Sequence, residues 1–160
     1  MLTIFQAETP SQIAMARELM LEYARQLEFN LCFQDFEEEL RNLPGDYAPP
    51  RGRLLLAFCD NAAAGLCGLR PLKDAAACEM KRLYVRTDFR GRSVGRALVS
   101  RLIAEAFALG YKYMRLDTIP GQMDHAIALY REFGFKETQP YYGTPLKQTI
   151  FMELELRPGL

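Results

Sequence analysis

Arg90-Gly91-Arg92-Ser93-Val94-Gly95-Arg96 is the stretch on which the reading of this chain turns. It follows an apolar run ending in Leu83-Tyr84-Val85 and opens a helical pattern at Val94, Leu98, Leu102, Ala106 and Leu109, so it lies where a strand gives way to a helix. Amides in the first turn of a helix have no intrahelical acceptor and point together at an anion. Two glycines let the backbone approach a ligand closely. From position 81 to 101 the cations Lys81, Arg82, Arg86, Arg90, Arg92, Arg96 and Arg101 face a single acid, Asp88. These are the features of a phosphate cradle.

The surrounding chain is otherwise neutral. Its 160 residues are 49% apolar, enough for one compact domain, residues 1–160, with its own core. Twenty basic and 20 acidic side chains cancel, which argues against a nucleic-acid surface, since that relies on neutralising many phosphates. The local cluster suits a small phosphorylated ligand instead. Cys32, Cys59, Cys67 and Cys78 form no C-x-x-C pair and stand among apolar residues, as reduced core thiols of a cytoplasmic protein do. With one histidine, His125, no familiar metal spacing is available, and no metal is expected. The N-terminus has no signal-peptide pattern and no apolar run spans a membrane, so no membrane partner is expected.

In chain order, Leu2 to Ala7 reads as a strand, and Thr9-Pro10-Ser11-Gln12 as a capped helix start. Ile13, Met20, Ala24 and Leu27 recur at helical spacing. An aromatic connector from Phe29 to Phe33 leads to a short helix, Asp35 to Asn42, ending at Pro44-Gly45. Phe29, Phe33 and Tyr47 either wall a substrate pocket or cover the core. Arg53 to Cys59 and Ala64 to Arg70 flank Asp60-Asn61, a hairpin signal, and Ala77 to Arg86 is a third, longer strand. After the helix from Val94, which Gly110 stops, come a strand from Tyr111 to Ile119, a helix from Asp124 to Phe133, and strands at Phe135 to Thr138 and Thr149 to Leu156. The order β-α-α-β-β-β-α-β-α-β-β calls for a mixed α/β (α+β) sheet with helices on both faces. The final strand and Tyr141-Tyr142 are the segments that would pair subunits in a homodimer.

This order, with Leu83-Tyr84-Val85, then Arg90-Gly91-Arg92-Ser93-Val94-Gly95, then Ala126-x-x-x-Tyr130-x-x-x-Gly134-Phe135, resembles the GNAT superfamily of acyl-CoA-dependent N-acyltransferases. The resemblance implies a mostly antiparallel sheet with one splayed parallel strand pair. Acetyl-CoA would lie in the opening, its pantetheine arm on the backbone of Leu83, Tyr84 and Val85 and its pyrophosphate on the amides of Arg90, Gly91, Arg92, Ser93, Val94, Gly95 and Arg96. Ser93 stands where the family pattern has glycine, and Met123 where many relatives have an asparagine that bonds the pantetheine. The activity implied is acetyl transfer to a primary amine of a small molecule or peptide. A catalytically silent acyl-CoA-binding or interaction module of the same fold is the alternative.

A lysine-like amine is neutral in only about one molecule in a few thousand at pH 7, a cost of roughly 4.6 kcal/mol, so the site must remove a proton. The resemblance implies Glu79 as the base, directly or through water; the other reading pairs it with Lys81 or Arg82. Tyr130 matches the family position that protonates the departing thiolate, while sharing a helix face with Ala126 and Phe133 as core packing would also require. Acceptor pockets in this fold implicate Phe29, Phe33, Tyr47 and Tyr142.

Overall fold

The computed structural model describes residues 1–27 and 35–159. Strand β1 (Leu2–Gln6) leads into helix α1 (Pro10–Gln26) through the expected capping box. Thr9 Oγ1 accepts from the Gln12 amide at 3.2 Å, and Gln12 Oε1 accepts from the Thr9 amide at 3.1 Å. After α2 (Phe36–Arg41), β2 (Arg53–Cys59) and β3 (Ala62–Pro71) form a hairpin in which Asp60 and Asn61 both have positive φ, 48° and 73°. Those are the angles that a two-residue turn of matching twist requires. Then follow β4 (Ala77–Val85), α3 (Val94–Ala108), β5 (Tyr113–Thr118), α4 (Asp124–Phe133), β6 (Lys136–Thr138) and β7 (Ile150–Glu155).

The strands make one seven-stranded sheet in the order β1-β2-β3-β4-β5-β7-β6. Every pairing is antiparallel except that of β4 with β5. Strand β2 shows why both faces are covered. Its run Leu54-Leu55-Leu56-Ala57 is fully buried. Leu54 and Leu56 join Leu19, Met20 and Phe36 beneath α1 and α2, while Leu55 and Ala57 join Leu98, Leu102 and Ile103 beneath α3. A continuous apolar run in place of alternation is what a strand buried on two faces requires.

Two irregularities shape the middle of the sheet. The parallel ladder between β4 and β5 runs only from Ala77↔Tyr113 to Glu79↔Arg115, after which the strands part. On the other side of β4, the step from Leu66 to Gly68 on β3 faces the longer step from Lys81 to Tyr84, so β4 carries one extra residue. This is a β-bulge, and Arg82 within it has φ 62°. Before the bulge Cys78 and Met80 face the α3 side; after it Leu83 and Val85 do, and Tyr84 faces α1. Consecutive residues Lys81 and Arg82 therefore both miss the α3 layer.

Cys67 and Cys78 are buried free thiols, as expected, and Cys59 is half-buried; Cys32 lies outside the described residues. Among the described residues no helix is long and apolar enough to cross a membrane. From Phe151 to Glu153, β7 is hydrogen-bonded by β5 on one side and β6 on the other, so that part of the final strand offers no free edge. Tyr141 and Tyr142 turn inward, their rings 5.1 Å from that of Phe151.

Candidate active site

Where β4 and β5 part, a cleft of about 930 Å³ opens between them. Leu83, Tyr84 and Val85 line one wall, residues 116–119 of β5 and its end the other, and the turn into α3 closes one end. Gly91 and Ser93 in that turn are both left-handed, with φ 79° and 61°. Ser93 is the N-cap of α3, and its side chain makes no capping hydrogen bond. The amides behind it thus keep no partner from the cap. A Cβ added to Gly95 would meet only Val85 Cγ2 at 3.6 Å and Leu129 Cδ2 at 3.9 Å, so the backbone there is open to the cleft. Amides of this kind fit a pyrophosphate.

The left-handed angle explains the departure at Ser93, since glycine holds it without strain and serine does so at modest cost. Ser93→Gly is expected to leave coenzyme affinity within twofold of wild type, measured by titration calorimetry. Ser93→Val should cost about 1–2 kcal/mol in urea unfolding, because a β-branched residue resists that angle.

The charge excess needs correction. Arg82 pairs with Glu39, Arg86 with Glu22 and Glu18, Arg96 with Glu132 and Arg101 with Glu105, all acids remote from the basic stretch or on another turn of helix. Arg86 and Glu22 meet at 2.6 Å, and this pairing holds the Glu22 carboxyl below its ordinary value. Among the described residues Arg90 and Arg92 have no carboxylate partner. Arg90 donates to the Val85 carbonyl at 3.1 Å and to Gln26 Oε1 at 2.9 Å, and Arg92 lies over the Phe89 ring. Arg90, Gly91, Ser93, Val94, Gly95 and Arg96 line the cleft; Arg92 does not.

Tyr130 is buried and lines the cleft, its ring packed 5.7 Å from that of Phe135. Packing and cleft access are combined. Its hydroxyl has no hydrogen bond from the described residues, and burial pushes its pKa well above the ordinary value, so it stays a donor. Glu79 is 1% exposed and does not line the cleft. Its Oε1 accepts from Arg70 Nε at 2.8 Å and its Oε2 from the Tyr141 hydroxyl at 2.5 Å. The expected pairing with Arg82 is absent; Arg82 turns to Glu39, and Lys81 approaches Glu79 only to 3.9 Å. Burial, reinforced by the charge of Glu79, raises the Tyr141 pKa far above its ordinary value, so this hydroxyl donates.

The site also includes residues that sequence reasoning missed. Lys81 and Asp117 face each other across the fork at 3.6 Å, both lining the cleft. Asp117 Oδ2 accepts from the Tyr142 hydroxyl at 2.5 Å. Tyr142 thus reaches the site through Asp117. Tyr47 instead is buried against Gly68, where an added Cβ would stand 2.6 Å from its ring, and donates to Glu39 at 3.0 Å. It covers the core and does not wall the cleft. Phe29 and Phe33 lie outside the described residues. Met123 lines the cleft and accepts from Thr118 Oγ1 at 3.3 Å, so it offers no amide of an asparagine.

A sheet forked at its parallel pair, with open helix-start amides at one end of the fork, is the arrangement that the resemblance to acyl-CoA-dependent acyltransferases implies. The family model for the acetyltransferase (GNAT) family matches residues 14–135. An uncharacterised N-acetyltransferase of Schizosaccharomyces pombe is 36% identical over 156 residues, 97% of this chain and 95% of that one. A second uncharacterised N-acetyltransferase, from Dictyostelium discoideum, is 29% identical and spans 94% of this chain and 97% of its own. Among solved structures, a GNAT acetyltransferase of Staphylococcus aureus superposes with a TM-score of 0.80 at 20% identity, covering 98% of this chain and all of that one. The chain belongs to the GNAT acetyltransferase family and is an acetyl-CoA-dependent acyltransferase.

Proposed function

We propose that the enzyme transfers acetyl from acetyl-CoA to a primary amine of a small molecule or peptide by direct attack, with both substrates bound. The observation that carries this reading is one cleft holding both the open amides of the α3 start and a cluster of ionisable groups, the buried Lys81 and Tyr130 and the half-buried Asp117. Bound acetyl-CoA supplies an activated acetyl group as a thioester. The amides from Arg90 to Gly95 hold its pyrophosphate, and the backbone of Leu83 to Val85 holds the pantetheine arm. Leu83 stands outside the β3 register at the bulge, which leaves its amide for charge developing on the carbonyl oxygen. Glu79, enclosed by Arg70 and Tyr141, acts on the amine's proton through its neighbours and not by contact. Tyr130 donates to the leaving sulfur.

A covalent route through Cys67 or Cys78 is disfavoured physically. Burial pushes the Cys67 and Cys78 thiols well above their ordinary values, which removes the thiolate that a nucleophile needs. An amine panel of amino acids, small amines, aminoglycosides and peptides, read by free thiol release, tests the function. Intersecting initial-velocity lines are expected for the active acceptor, and parallel lines would overturn direct attack. Thermal stabilisation by acetyl-CoA with no thiol from any amine would favour the silent binding module. Tyr130→Phe should lower kcat about tenfold, the worth of one hydrogen bond, with KM for acetyl-CoA within twofold.

A further inference from the structure

At the fork itself the two nearest carboxylates are already engaged. Both oxygens of Glu79 are engaged, and Asp117 Oδ2 is held by Tyr142. Between these two acids lies Lys81. Its side chain is 3% exposed, its Nζ is 3.6 Å from Asp117 Oδ1 and 3.9 Å from Glu79 Oε1, and it lines the cleft. Both distances exceed hydrogen-bond length, and no described residue hydrogen-bonds the amine. A buried amine with this much unused bonding capacity, at the fork where the strands separate, has the cleft itself as its remaining partner.

We propose that Lys81 Nζ is the cleft-facing base, taking the proton from the acceptor ammonium, and that Glu79 and Asp117 stabilise the ammonium then formed on Lys81. This rests on the amine-acetylating reading. In the step, an N–H bond of the acceptor ammonium breaks and its proton joins the lone pair of Lys81 Nζ. The freed nitrogen pair forms the new C–N bond as the C–S bond breaks. Tyr130 donates its hydroxyl proton to the departing sulfur and regains one from the second nitrogen proton, and the proton on Lys81 returns to solvent as product leaves.

The surroundings favour this role. Burial lowers the Lys81 pKa from its ordinary value, opposed by Glu79 and Asp117 and assisted by Arg82 and Arg70. Among the described residues, Glu39 of α2 also interacts with its charge, Tyr23 of α1 interacts with its neighbours Arg82 and Asp117, and Tyr141 and Tyr142 of the loop before β7 donate to its two acids. By donating, the Tyr141 and Tyr142 hydroxyls fix the carboxylates that flank Lys81. A lowered lysine value brings the base nearer to working pH, where general-base catalysis is most effective.

Lys81→Arg separates the base from its charge, because arginine keeps the positive charge and does not deprotonate. Its kcat is expected to fall by about 10²-fold or more, with the thermal shift given by acetyl-CoA retained. Activity within threefold of wild type would overturn the proposal. Carbon-13 NMR of lysine-labelled wild type supplies a measurement without a variant, since the chain has only five lysines. The Lys81 side-chain resonance should titrate below the other four; titration together with them would equally overturn the role. If no amine yields free thiol with wild type, the functional reading fails, while the NMR titration still reports on Lys81.

Discussion

Replacing Glu39 by alanine is expected to destabilise the protein by about 3–5 kcal/mol, the usual effect of breaking a buried ion pair from one side. Arg82 meets this carboxylate with two hydrogen bonds, Nε to Oε2 at 3.0 Å and Nη2 to Oε1 at 2.9 Å, and its side chain is only 2% exposed. Tyr47 donates to the same carboxylate, and the Phe36 ring lies 5.0 Å from the guanidinium. Alanine would withdraw the counter-charge from a cation that water cannot reach. Because Arg82 sits in the bulge that divides β4, the fork should loosen as well, and kcat should fall in the fraction that remains folded. Urea unfolding measures the first effect; a loss below about 1 kcal/mol would show that the pair contributes no more than a surface one.

The same pair has a pH signature. Burial raises the Glu39 pKa, yet the hydrogen bonds and charge of Arg82 outweigh it and leave the carboxyl below its ordinary value. A depressed acid stabilises the fold at pH above its unfolded value, and that stabilisation is lost as pH falls through the folded value. Wild type should therefore lose stability below about pH 4.5 more steeply than Glu39→Gln. A double replacement, Glu39→Leu with Arg82→Met, should recover part of the lost stability, since it removes both buried charges.

The features that sequence reading captured are those set by neighbours along the chain. Thr9 and Gln12 cap α1 over a three-residue span, Asp60-Asn61 makes its hairpin alone, and Gly134 ends α4 at φ 103°. The order of elements along the chain followed because each could be recognised locally and the family motifs tied them together. What escaped depends on pairings over long separations. Lys81 and Asp117 meet because the strands bearing them run parallel before the fork, and no spacing rule connects positions so far apart. Arg82 counted toward a phosphate-binding excess, but one extra residue in β4 sends it to Glu39 instead. Period-two reasoning carries no warning of a bulge. Tyr47 was ambiguous for a related reason: the space that buries it exists because position 68, on another strand, is glycine.

Replacing Gly95 should separate stability from function in opposite directions. Gly95 is the second residue of α3, and a methyl there would make ordinary contacts with Val85 and Leu129, at 3.6 and 3.9 Å. Glycine inside a helix costs roughly 0.5–1 kcal/mol relative to alanine, so Gly95→Ala is expected to raise Tm by about 2–3 °C. Coenzyme affinity should fall even so. The backbone that the methyl shields is the one proposed to meet the pyrophosphate, and losing one hydrogen bond to a charged group costs about 1.5–3 kcal/mol, or roughly 10–100-fold in Kd. Gly95→Val adds two γ-carbons that Val85 and Leu129 leave little room for except in the cleft, so its loss should exceed about 100-fold. Tm and coenzyme titration on the same samples check both effects. A Kd within twofold of wild type for the valine variant would mean that the pyrophosphate does not approach this turn.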